Sequence, residues 1–291
     1  MPELEIFTGI YSTNLVMLMV AGLLVTGVVA GLLAGLLGVG GGIVIVPVLY
    51  LLFTYIGIPA SIVMHVTVAT SLATIIPISL SSARSHHAKG AVDLVVFKSW
   101  GPMILIGAAI GGGMSGHLDS AFLQLLFGLI ALYVSVSMIR AKKTPPNANS
   151  DTETGLSPAG RGLVGRAIAT AIGGASALMG IGGGAIAVPV LSALSLPVHR
   201  AVGTAAAFGF LIAVPGTFGF IWSGLDVAMR PPLSLGFVSL PAAIIIFSTS
   251  MFTVRLGSRI AHALDAARLR RVFGYFLLLS ALNILAGIAG G

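Results

Sequence analysis

Two glycine clusters are the first candidates for a chemical role. The first is Gly38-Val39-Gly40-Gly41-Gly42, followed by Ile43 to Leu49 with Pro47 among them. The second is Gly180-Ile181-Gly182-Gly183-Gly184, followed by Ala185 to Leu191 with Pro189. Three adjacent glycines weaken a helix interior by roughly 1 kcal/mol each relative to alanine. Each cluster interrupts an apolar stretch of membrane length. Backbone freed by such a break goes unpaired in lipid unless it lies inside protein or beside a polar cavity. A short helix starting after the break points its N–H groups and the positive end of its dipole into the gap, which suits an anion without any charged side chain. Gly40, Gly41, Gly42, Gly182, Gly183 and Gly184 are therefore candidate anion-binding residues. Tight helix packing by small residues is the alternative reading. Matching Gly/Pro-interrupted segments in two halves of a chain also point to a transporter's binding site.

Hydroxyls and histidines follow downstream. Thr70, Ser71 and Thr204 lie inside apolar runs, as donors to an anion's oxygens or as partners in bonds between helices. His65 and His199 stand near helix starts, candidates either for proton coupling or for the membrane interface. All eight carboxylates fall in loops, in the linker or at the N-terminus, which disfavours a buried carboxylate relay or cation pathway. No Ser–His–Asp or paired-carboxylate arrangement stands out, so no catalytic residue is assigned. His86 and His87 are adjacent, the wrong spacing for a helical metal site, and neither metal nor cofactor is expected. The glycine clusters lack the lysine and the flanking strand of a nucleotide-binding loop. With no cysteine, thiolate ligands, thiol nucleophiles and disulfides are excluded.

These residues must be held by membrane helices. The 291-residue chain is 57% hydrophobic and 8% charged, with a mean hydropathy of +1.08. A soluble domain carries about 25% charged residues. Several apolar runs are long enough to cross a bilayer. The expected fold is an all-α polytopic membrane protein, two inverted repeats of about five hydrophobic segments each, with Gly-broken helices. The net charge of +7 comes from basic residues between apolar runs. That pattern fits cytoplasmic loops better than nucleic-acid binding. Met1 to Phe7 carry Glu3 and Glu5 and no basic residue, unlike a signal peptide, and the run Leu15–Leu37 is expected to be a retained helix.

The repeat aligns by eye. Gly182 and Pro189 lie 142 residues after Gly40 and Pro47. His65 with Thr70 matches His199 with Thr204 at an offset of 134, and Leu118-Asp119 with Phe127-Gly128 matches Leu264-Asp265 with Phe273-Gly274 at 146. The Pro/Asn/Ser/Thr-rich stretch after Ile139 reads as a linker. Residues 1–139 then form the first transmembrane repeat, 140–162 a cytoplasmic linker and 163–291 the second repeat. The basic loops 84–98, 140–166 and 255–271 all fall on the cytoplasmic side if each half contributes five segments, with both termini outside. An odd number per half inverts one repeat relative to the other. The short runs 43–56 and 185–196 are below the ~20 residues of a full crossing and suit re-entrant half-helices.

The paired Gly-(Val/Ile)-Gly-Gly-Gly-x-x-x-Val-Pro-Val-Leu motifs at 38–49 and 180–191 resemble those of the TauE/SafE family of sulfite exporter and organosulfonate permeases. So do the segments Val68-Ala69-Thr70-Ser71 and Ala201-Val202-Gly203-Thr204. The resemblance covers nearly the whole chain apart from the linker. It implies a multi-pass inner-membrane permease for a small anionic sulfur-containing substrate such as sulfite, thiosulfate or sulfoacetate, and leaves substrate and direction open. Ala205 stands where the first copy has Ser71, so any hydroxyl site is asymmetric. The expectation is a secondary transporter, not an enzyme, working by alternating access. A passive anion channel and a membrane assembly factor or enzyme are the rival readings.

Overall fold

The computed structural model describes residues 13–37, 41–140, 157, 160, 162–260 and 266–289. Its helices are α1 (Thr13–Leu37), α2 (Gly42–Tyr55), α3 (Val63–Ala88), α4 (Leu94–Met114), α5 (Ser120–Arg140), α6 (Leu163–Met179), α7 (Gly184–Ala193), α8 (Val198–Gly224), α9 (Leu240–Ile260) and α10 (Ala266–Ala289). A 3₁₀ turn, Ser115–His117, follows α4, and a small antiparallel pair, β1 (Ser234–Leu235) and β2 (Val238–Ser239), precedes α9. The protein is an all-α polytopic membrane protein: seven helical stretches are long and apolar enough to cross a bilayer. α2, α6 and α7 are shorter. At about 1.5 Å per residue, the 10 residues of α7 reach roughly half of a ~30 Å hydrocarbon core.

Helix packing exchanges the two halves. α1 packs on α9 and α4 on α6; α3 packs on α8 and α5 on α10; α4 meets α8 as α9 meets α3. Pairing α1 with α6, α2 with α7 and so on to α10 maps each of these contacts onto another or onto itself. Direction is read from the glycines. Gly216 of α8 lies against Leu72 and Gly209 against Ser79, so α3 and α8 run antiparallel. Gly128 meets Leu285 while Gly274 meets Ser135 and Ile139, so α5 and α10 are antiparallel too. Equivalent helices pointing in opposite directions are what an inverted repeat produces. The crossed pairs run parallel: Gly27 and Gly31 of α1 lie on the backbone of Ile246 and Ser250, and Gly107 and Gly111 of α4 on that of Thr170 and Gly174. Close backbone approach at small residues is how membrane helices gain contact where no hydrophobic effect drives them together.

α3 is the centre. Its apolar window is 78% buried, against 28–56% for the other long spans. The pattern of polar residues misplaces its end: the helix continues through Ala88, five residues into the segment 84–98 expected to be a loop. Hydropathy reports where side chains leave the apolar zone, but the backbone ladder is indifferent to that boundary. The apolar run from Leu233 also breaks: Leu233 (φ 58°) and Gly236 (φ 55°) turn the chain before α9 starts at Leu240. Pro47 and Pro189 are the sixth residues of α2 and α7. There each removes a bond to the carbonyl four residues back, on Ile43 and on Ala185. The anchor Leu264-Asp265 lies outside the described residues.

Candidate functional site

The two breaks meet. Gly41 caps α2 at φ 73°, and its carbonyl accepts the N–H of Val44 at 3.0 Å and of Ile45 at 3.2 Å. Gly183 caps α7 at φ 45°, and its carbonyl accepts those of Ile186 at 3.2 Å and Ala187 at 2.7 Å. Both angles lie where a Cβ is strained, which accounts for glycine at each. Gly180 ends α6 at φ 69° as a left-handed cap. Gly42 lies on it: a Cβ at Gly42 would stand 2.5 Å from Gly180 O and 3.0 Å from Ile181 Cα. Gly182 and Gly183 lie along α8, where a Cβ on Gly183 would stand 2.7 Å from Ile212 Cδ1, and Gly184 opens α7. Gly40 lies outside the described residues.

Ser71 Oγ donates to Gly180 O at 2.7 Å. Its one proton is thus committed to the opposite half's break, and in this conformation it ties α3 to that break. Thr70 and Thr204 do something different and matched. Thr204 Oγ1 accepts the N–H of Asp93, just before α4, at 2.9 Å; Thr70 Oγ1 accepts the N–H of Ser239, just before α9, at 3.0 Å. Each hydroxyl therefore holds the start of the fourth helix of the other half, while its own proton has no acceptor among the described residues. Thr70→Val is expected to leave the buried Ser239 N–H unpaired and to destabilise the protein by about 1–3 kcal/mol, with Thr70→Ser near wild type. Thermal unfolding in detergent measures this, and a Thr70→Val protein as stable as wild type would contradict it.

The repeat-matched histidines have different surroundings. His65 is buried at the start of α3, with Nε2 placed to donate to Leu118 O (2.9 Å) and Ser115 O (3.1 Å). Its ring lies against Phe237 with centroids 4.9 Å apart, and Nδ1 has no partner. His199, at the other end of the molecule, is exposed. Beside it Arg200 Nη1 reaches Asp93 Oδ2 at 3.3 Å.

A cavity of about 470 Å³ opens between α3 and α9 at the basic end, lined by Ser81, Arg84, Ser85, Lys89 and Arg255 and reaching down to Pro77. From Arg84 to Pro77 along α3 is about 10 Å. Ile75, fully buried one half-turn deeper, carries the Cδ1 that a Cβ on Gly42 would approach to 2.7 Å. The cavity and the paired breaks thus lie at successive depths along α3, with Pro77 at the cavity floor and Ile75 packed on Gly42. At the opposite end the start of α3 is covered by Phe237, Phe220 and the hydrogen-bonded Ser115–Ser223 pair (3.0 Å). Sequence reasoning missed Gly180, Asp93 and Ser239. Asp93 was within reach, since an aspartate directly before an apolar helical run is an N-cap signature. Ser239 gives no such signal.

Two inverted halves with broken helices meeting between them, in a bundle of membrane-length spans, define a polytopic membrane transporter of the inverted-repeat class. The chain belongs to the sulfite exporter TauE/SafE family, which matches residues 23–284. It is 35% identical over 261 residues to a probable membrane transporter protein of Haemophilus influenzae, covering 90% of this chain and 96% of that one. It is 30% identical to a probable membrane transporter protein of Methanocaldococcus jannaschii, over 88% and 94% of the two chains. It is 34% identical to the probable membrane transporter protein YunE of Bacillus subtilis, over 69% and 78%. No solved structure matches the chain. These relatives are named as transporters and not as enzymes.

Proposed function

We propose that this protein is a secondary transporter of the inner membrane for a small sulfur oxyanion or organosulfonate, of the sulfite, thiosulfate or sulfoacetate type. The observation that carries the reading is the meeting of the two glycine breaks below a cavity rimmed by Arg84, Lys89 and Arg255. An anion drawn in by the rim descends along α3 toward the N-termini of α2 and α7, whose dipoles favour negative charge. The family's printed description, a sulfite exporter, supports the sulfur class. Antiparallel α3 and α8 supply the means of alternating access, since one repeat rocking on the other closes one end as it opens its counterpart. The basic end is cytoplasmic in this reading, and the linker 140–162 lies there. His65 is the candidate for proton coupling, because its Nδ1 is buried without a partner; His199 is exposed and less suited to that role.

The test is thermal stabilisation of purified protein by sulfite, thiosulfate, sulfate, sulfoacetate, taurine and acetate. Selective stabilisation by one sulfur anion, lost in a monodisperse Gly183→Val protein, is expected. Equal response to acetate, or none to any sulfur anion, would overturn the substrate class. Orientation is checked separately. A cysteine introduced as Asn149→Cys should react with an impermeant reagent only from the cytoplasmic side, and labelling from outside would reverse the assignment.

A further inference from the structure

At the end opposite the basic cavity, two adjoining hollows share Ile56, Pro231 and Pro232. The larger, of about 220 Å³, lies between α1 and α9 and is lined almost wholly by apolar groups, among them Val20, Leu23, Phe53 and Ile245. It follows α1 from Val16 to Leu23, about 10 Å along the helix axis. One leaflet of a ~30 Å hydrocarbon core is about 15 Å deep. The smaller hollow sits at its mouth and contains Arg230. Arg230 spends its Nε on Val227 O at 2.7 Å, which fixes the guanidinium and leaves its terminal nitrogens without a partner among the described residues. Asp226, four residues away, forms no ion pair with it. Arg230 is also the one Lys or Arg in the three segments that join helices at this end, 56–62, 115–119 and 225–239.

We infer that this paired hollow is a binding site for an anionic phospholipid, one acyl chain lying between α1 and α9 and the headgroup phosphate on Arg230. The groove's edge on α1 is Val20, itself exposed and flanked by the exposed Met17 and Leu24, the kind of surface that meets lipid in a membrane-spanning bundle. A fixed guanidinium at the mouth of an apolar slot matches the order of a phospholipid, with charge at the interface and hydrocarbon below it. The site clasps α1 of one half to α9 of the other, together with the end of α2. A bound lipid therefore bridges the two halves.

Native mass spectrometry of the full chain, delipidated in detergent and titrated with phosphatidylglycerol or phosphatidylcholine, tests this. Phosphatidylglycerol adducts are expected to persist at several-fold lower lipid concentration than phosphatidylcholine adducts. Arg230→Gln should abolish that preference, and Val20→Trp, at a partly exposed lining position, should weaken both lipids. Equal retention of phosphatidylglycerol by wild type and Arg230→Gln, or no preference between lipids in wild type, would overturn the headgroup assignment. Competition by soluble glycerophosphate as effective as the lipid itself would overturn the acyl-chain assignment. Each variant is first shown to be monodisperse with a wild-type unfolding temperature.

Discussion

Gly42→Val is expected to abolish transport. A Cβ at Gly42 would stand 2.5 Å from Gly180 O, 2.7 Å from Ile75 Cδ1 and 3.0 Å from Ile181 Cα. Two of these three atoms are backbone of the opposite break, which cannot swing away as a side-chain tip does. Overpacking a tight interior costs about 1–3 kcal/mol, and valine adds branched methyls at the point of contact. The breaks would be forced apart, and the Ser71–Gly180 bond of 2.7 Å with them. Gly113→Ala in α4 is the control, because a Cβ there meets nothing within 4 Å. Flux of the stabilising sulfur anion into proteoliposomes, normalised to inserted protein, is the measurement. Wild-type flux through Gly42→Val would remove the meeting of the breaks from the mechanism.

Asp93→Ala should be the most destabilising change of a single charged residue. Asp93 Oδ1 accepts from Val95 N and Val96 N, both at 3.0 Å, which caps α4, and Oδ2 accepts from Arg200 Nη1 at 3.3 Å. Loss of an N-cap costs about 1 kcal/mol and up to 2. The ion pair adds less, because the Arg200 side chain is 34% exposed and solvent screens such pairs. Asp93→Ala is therefore expected to cost about 2 kcal/mol. Asp93→Asn, which keeps the capping oxygen, should cost less, and Arg200→Gln under about 1 kcal/mol. Unfolding temperatures in detergent give the order. Asp93→Ala no less stable than Arg200→Gln would show that the cap contributes nothing.

The matched threonines show how far sequence reading goes. Thr70 and Thr204 sit at equivalent places in the repeat, and their spacing from His65 and His199 is visible in one dimension. Their partners are not, since Ser239 and Asp93 lie 169 and 111 residues away in the chain. The same holds for the histidines. Identical placement in the repeat puts His65 against Phe237 and leaves His199 in the open, because the two ends of an inverted pair are built from different loops. Near-symmetry of sequence does not carry over to the environment, which is where a proton-coupling residue is distinguished from an interfacial one.

The all-α membrane class, the repeated halves and the places where helices break are legible in one dimension. Those follow from local physics: apolar runs of membrane length, glycines that cannot sustain a helix, and basic residues that do not cross a bilayer. Tertiary structure decided what the breaks touch. The proton of Ser71 is held by Gly180, Gly42 lies on Gly180 and Ile181, and each half's fourth helix is held by the other half's threonine. The physical reason is that inversion brings antiparallel copies of one element face to face, so each functional contact joins residues on the order of half the chain apart, beyond the reach of any local rule.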